Sequence, residues 1–206
     1  MKKIDSLILS GKESLPLIEG GKGIAVSSGE SSGAWAKAGG VGTFSGVNAD
    51  SYDKEGNLIP QLYMEKTRKG RHRELVDFSV SGAVEQAKIA RDIAGTDAPI
   101  HINILWEMAA AEEILTRTLE KAGNIIDGVT CGAGMPYKLS EIAARFGIYY
   151  YPIVSSARAF NALWKRSYRK TSDFLGGVVY EDPWLAGGHN GLSNSEDPLK
   201  PQPPYP

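Results

Sequence analysis

The sequence predicts an α/β fold built on a parallel sheet, and two observations predict it. Short apolar runs alternate with segments of helical period six times, with strands near residues 15, 41, 99, 126, 148 and 177. The 24 glycines fall mostly at the junctions between apolar runs, the pattern of many short βα turns. A chain of 206 residues with 42% hydrophobic content holds one sizeable core.

Composition narrows the partners. Net charge is −1, from 23 basic and 24 acidic residues, so the whole molecule has no electrostatic attraction to nucleic acid or an acidic membrane. The lone cysteine, Cys131, excludes an internal disulfide framework and fits a reducing, cytoplasmic compartment. The first apolar run is broken by Asp5 and Ser10 and lacks a small-residue cleavage site, so no signal peptide is expected. No segment approaches the roughly 20 apolar residues of a membrane span.

The elements follow in order. Leu15 to Glu19 reads as a strand running into Gly20-Gly21-Lys22-Gly23. Three glycines in that cluster suit a backbone that approaches a ligand, with a plain turn as the competing explanation. The spacing fits neither a Walker loop nor a Rossmann fingerprint. Ser31 to Ala38 reads as a helix with Ala34, Trp35 and Ala38 at helical spacing and Gly39-Gly40 as its stop. Val41 to Ser45 is the next strand.

Residues 48–74 form a polar insertion, with a turn at Asp53 to Gly56, an apolar patch at Leu58 to Tyr63 and a basic run at Lys66 to Arg73. A solvated loop is the expectation for the basic run, and the length leaves a lid or a subunit contact open. His72 lies among those charges and is a poor catalytic candidate. Helical period returns from Ser81, with Val84, Ala87, Ile89, Ala90 and Ile93 apolar and Gly95 as the stop.

Pro99 to Leu105 is a strand whose isoleucines 100, 102 and 104 share one face, with His101, Asn103 and Leu105 on the other. Asn103, near the C-terminal end, suits a ligand at the mouth or a partner in the neighbouring backbone. His101 lies deeper and reads as a hydrogen-bonded core histidine. A helix over 109–122 carries Ile114, Leu115 and Leu119 inward and is capped by Gly123. The strand Ile126 to Thr130 leads into the turn Cys131 to Pro136, where proline suits a first helical position. Cys131, with no second cysteine, is assigned neither as nucleophile nor as metal ligand. A helix over 137–146 precedes the strand Ile148 to Val154, in which Pro152 signals a bulge or an unpaired position. Ser155 and Ser156 offer an N-cap for a helix over 157–170 with Phe160, Leu163, Trp164 and Tyr168 as its core stripe.

Val178, Val179 and Tyr180 read as a buried strand that stops at Glu181, Asp182 and Pro183. Then comes Ala186-Gly187-Gly188-His189-Asn190-Gly191, a histidine between glycines, suited to proton transfer near neutral pH or to capping a turn. Residues 193–206 read as a Pro-rich tail or a truncated loop.

That histidine loop after a strand ending in Glu181, with the segment Trp35 to Phe44 and the order of the other elements, resembles the nitronate monooxygenase (2-nitropropane dioxygenase) family. Flavin-containing enoyl-ACP reductases share the loop. The resemblance implies a (β/α)8 TIM-barrel type, incomplete because about six βα units are present where a closed barrel has eight. Residues 1–192 would then be a single partial FMN-type β/α barrel, an N-terminal fragment of the family's length. It also implies FMN as cofactor, His189 as the catalytic group, and Gly20, Gly21, Lys22, Asn103, Glu181, Gly187 and Gly188 around the flavin, with no metal. Lys22 stands where the family usually has methionine.

The expected reaction is oxidation of alkyl nitronates with O2 to a carbonyl compound and nitrite. Two alternatives stand beside it: an NAD(P)H-dependent reductase of quinones or enoyl thioesters, and a non-catalytic fragment lacking the FMN phosphate site. Expected partners are a small-molecule substrate and O2, without nucleic acid or membrane, and with a homo-oligomer left open.

Overall fold

The computed structural model describes residues 4–182. Its sheet contains β3 (Gly42–Ser45), β4 (Ile100–Leu105), β5 (Gly128–Gly132), β6 (Tyr149–Val154) and β7 (Val179–Tyr180). All are parallel neighbours in chain order, β3-β4-β5-β6-β7. Adding each strand to the same side is how a barrel wall grows; a doubly wound sheet would reverse direction. The sheet is a curled half-barrel, as the predicted incomplete barrel requires. The predicted first strand is reduced to a parallel bridge, Ile18 to Val41, held by Glu19 N–H to Val41 O at 2.9 Å and Val41 N–H to Leu17 O at 2.8 Å. The six predicted strand positions therefore all exist.

Outside the sheet lie α1 (Gly29–Lys37), α2 (Arg68–Ala94), α3 (Ala111–Ala122), α4 (Leu139–Arg145) and α5 (Ala157–Arg166). Among the described residues no helix is long and apolar enough to cross a membrane. Ile100, Ile102 and Ile104 are fully buried in the core that also holds Ala83, Ala87 and Leu115 from the helices. Ser156 caps α5 by accepting the Ala159 N–H at 3.2 Å, as its hydroxyl predicts. Leu163 and Tyr168 are fully buried, with Phe160 and Trp164 packed beside them.

Three expectations are corrected. First, α1 buries Gly29, Ser32, Gly33 and Ala36, while Trp35 is 42% exposed. Helix α1 lies so close to α2 that a Cβ at Gly33 would come within 2.8 Å of Ala90 O. Backbone contact through glycine outcompetes burial of the indole, whose Nε1 instead donates to Leu17 O at 3.3 Å. Second, α2 begins at Arg68, after the N-cap Thr67, so the basic run opens a 27-residue helix and is not loop. Those first turns are exposed and carry no apolar period; burial starts at Val76. Third, the β7 strand is not buried: Val178 is 44% and Tyr180 36% exposed, because β7 is the edge strand of the described sheet.

Pro152 pairs with Cys131 of β5 but meets a gap on the β7 side. There the ladder runs from the Tyr150–Leu175 bridge to the Ile153–Val179 pair, and no proline N–H is needed between them.

An antiparallel hairpin, β1 (Leu7–Leu9) with β2 (Lys12–Ser14), precedes the barrel. Its turn residues Ser10 and Gly11 have φ of 50° and 74°, the left-handed pair that a two-residue hairpin turn demands. The turn plugs the N-terminal end of the half-barrel. Ser10 Oγ lies 2.8 Å from both His101 Nε2 and Tyr151 Oη. Lys12 and Arg91 both pair with Asp127, at 2.8 and 2.6 Å, and tie the hairpin and α2 to the start of β5.

Candidate functional site

Register places the interior side chains in layers, since alternate residues of a strand share a face. His101 lies level with Thr43, Gly128 and Tyr149; Asn103 lies one layer higher, with Ser45, Thr130 and Tyr151. Above them, at the C-terminal ends of the strands, is a cavity of about 90 Å³ lined by Gly21, Asn103, Leu105, Gly132, Ile153 and Glu181, among others. Three residues singled out in the sequence, Gly21, Asn103 and Glu181, therefore converge from segments far apart in the chain.

Each is held for a reason. The Thr130 hydroxyl donates to Asn103 Oδ1 at 3.0 Å, which fixes the amide plane. Oδ1 is thus occupied by a side chain, not by backbone, and among the described residues no acceptor sits on Nδ2. The amide offers a donor to a ligand in the cavity. Gly21 lies directly against Asn103, and a Cβ there would run into Asn103 Cβ and come within 3.1 Å of Thr43 Cγ2. Ser27 latches the glycine loop by accepting the Lys22 N–H at 3.0 Å and donating to Gly20 O at 3.2 Å. Glu19 is buried beneath it and accepts the Thr43 N–H at 3.0 Å and the Ser31 hydroxyl at 3.1 Å. Glu181 follows β7, its N–H donated to Val154 O at 2.9 Å.

The other assigned residues do not meet here. Gly20 and Lys22 are exposed, outside the cavity lining, and a Cβ on Gly20 would touch nothing. Their proximity to Gly21 in sequence does not place them in the cavity lining. Gly187, Gly188 and His189 lie outside the described residues, as does the segment 193–206. His101 is the core histidine the sequence predicts: fully buried, with desolvation lowering its pKa to about 4 against a smaller opposing effect of Asp127. Cys131 is fully buried in the core on the helix side, where burial pushes its thiol well up and out of reach of nucleophilic chemistry. Among the described residues no cluster of His, Cys, Asp or Glu is arranged to hold a metal ion.

Sequence reasoning missed Thr130, Ser27 and Glu19. Thr130 was accessible in principle, being the inward residue of β5 at the level of Asn103, but that needs the register. Ser27 acts through backbone groups and Glu19 through a backbone N–H and a hydroxyl, and neither leaves a periodic signal.

No protein-family model matches the chain, and none of the curated proteins does. Solved structures do match. FabK from Thermotoga maritima aligns over 82% of this chain and 41% of its own, at 18% identity and a TM-score of 0.48. The M276A mutant of that protein aligns over 85% of this chain and 45% of its own, at 20% identity and a TM-score of 0.55. The second alignment shows the fold, a TIM barrel in the neighbour. The chain spans less than half the length of the structures it matches.

Proposed function

We propose that this chain forms one wall of a flavin site and belongs to an FMN-dependent oxidoreductase resembling nitronate monooxygenases, which converts alkyl nitronates with O2 to carbonyl compound and nitrite. The observation that supports it is the convergence of Gly21, Asn103 and Glu181 on one cavity at the C-terminal ends of the strands, where barrels of this type place their chemistry. The residues present fit a flat heteroaromatic group. Gly21 and Gly132 supply bare backbone, Leu105 and Ile153 supply apolar contact, and Asn103 Nδ2 supplies a donor. At about 90 Å³ the cavity takes an edge of such a ring, not the whole cofactor. FMN, when bound, supplies the electron-accepting ring.

The remaining work falls to this chain's own side chains. Asn103, fixed by Thr130, orients the ring through Nδ2, and Glu181 lines the same cavity. In this reading His189 takes the proton from a neutral nitroalkane or hydrogen-bonds the nitronate. The fold shared with FabK supports keeping a second reading on the same scaffold, NAD(P)H-dependent reduction of a quinone or an enoyl thioester.

Flavin titration of the 206-residue chain, followed by fluorescence quenching, tests the site. Thr130→Val leaves the fold intact and unties the amide; a loss of roughly tenfold in FMN affinity is expected, the size of one hydrogen bond. Unchanged affinity in Thr130→Val and in Asn103→Leu removes the proposed flavin wall. Where flavin binds, nitrite release against NAD(P)H consumption separates the two reactions, and His189→Asn should bind FMN normally yet lose turnover of neutral nitroalkanes.

A further inference from the structure

The insertion carries a second feature that the cavity does not use. Leu58, Ile59, Leu62, Tyr63 and Met64 are exposed by 56%, 41%, 66%, 50% and 81%. These side chains do not dangle from a loose loop. The Glu74 carboxylate accepts the N–H groups of Met64 and Glu65, both at 3.1 Å, and Arg71 Nε donates to Glu65 O at 3.0 Å. The apolar segment is thereby clamped to the first turns of α2.

Those turns are strongly basic. Arg68, Lys69, His72 and Arg73 are all exposed, and at helical spacing they cover an arc of about 140°. Lys66 adds a further exposed cation just before the helix. Among the described residues no carboxylate pairs with Lys66, Arg68, Lys69 or Arg73. The first turn of α2 contains no acidic residue, although the positive end of a helix dipole favours acids and repels cations. The Glu65 carboxylate packs beside Gly70 and serves the helix end from within the chain, while the outward cations Arg68, Lys69 and Arg73 are left for an anionic partner outside it.

We propose that the tip formed by residues 58–73 docks on an anionic lipid surface. Lipid suits it better than a folded partner, because the apolar residues protrude and a bilayer interface accepts protruding aliphatic side chains without a matching pocket. The cations then meet the headgroups, each adding attraction within a Debye length of the surface. The net charge of −1 is no obstacle, since screening makes the local cluster, not the total, what the surface senses. The tip follows β3, so it lies on the mouth side of the half-barrel, where a docked membrane would adjoin the cavity.

Co-sedimentation of the full chain with vesicles of pure phosphatidylcholine and of phosphatidylcholine with phosphatidylglycerol tests the proposal. Binding is expected to the anionic vesicles, weakened by salt. Arg68→Glu/Lys69→Glu/Arg73→Glu should lower the partition coefficient by about a hundredfold or more, what three basic residues contribute together. Leu62→Ser/Met64→Ser should lower it while leaving the circular dichroism spectrum unchanged. No binding to anionic vesicles, or binding that both variants leave unaltered, overturns the proposal. Capture of polyglutamate without vesicle binding also overturns it, in favour of an acidic polypeptide.

Discussion

Two adjacent glycines show how much a single Cβ decides at the mouth of this half-barrel. Gly21 lies against Asn103 and Thr43, whereas Gly20 faces open space, and neither has the positive φ that would demand glycine for backbone reasons. Their difference is therefore one of packing alone. Gly21→Ala must push Asn103 aside or move the loop off β4, at a cost of about 1–3 kcal/mol typical of overpacking. Gly20→Ala should stay within about 0.5 kcal/mol of the parent. Urea denaturation of the two variants checks this, and equal midpoints would mean that Gly21 is not in contact with Asn103. The sequence presents the two residues as a pair, and no pattern around them separates the one that touches the site from the one that does not.

At the scale of elements, Asp127 is where three segments meet. Its carboxylate pairs with Lys12 of β2 and Arg91 of α2 and accepts the Ile100 N–H at 2.8 Å. Arg91 in turn donates to the carbonyls of Ile125 and Ala98. Asp127→Ala leaves two poorly exposed cations without their counter-ion, and a loss of about 3 kcal/mol is expected, toward the lower end for a buried pair because water still reaches these groups. Lys12→Met should cost less, since Arg91 keeps its carboxylate. Chemical denaturation of both variants checks the order. Nothing of this cluster is legible in the sequence, because its members are joined only by topology. By contrast the alternation in β4 was legible residue by residue, since a strand's period of two maps directly onto inside and outside. Helix α1 was legible in extent but not in facing. A helical wheel weights Trp35 as core, whereas the real contact is made by the glycine edge that the wheel treats as neutral. The start of α2 was hidden for a related reason: apolar period reports burial, and its first turns are exposed.

For the whole molecule, the plug at the bottom of the half-barrel makes stability depend on pH in a defined direction. His101 sits fully buried between Ser10 of the hairpin and Tyr151 of β6, 4.7 Å from that ring, and among the described residues its Nδ1 has no hydrogen-bond partner. Desolvation is the main cause that lowers its pKa from 6.5 to about 4. Between those values the unfolded chain binds the proton and the folded chain does not. Stability is therefore intact above pH 6.5 and declines as pH falls toward 4. The shift corresponds to a loss on the order of 3 kcal/mol across that window. Asp53, whose pKa is also lowered, acts only below its ordinary 3.8 and so lies outside it. Urea denaturation at pH 7 and at pH 4.5 should show the decline in the parent chain. His101→Gln retains a polar partner for Ser10 without a titrating group, and should flatten the dependence through this range. A parent and variant that weaken in parallel would mean that other groups set the acid sensitivity, and that His101 takes up its proton equally in the folded and unfolded chains.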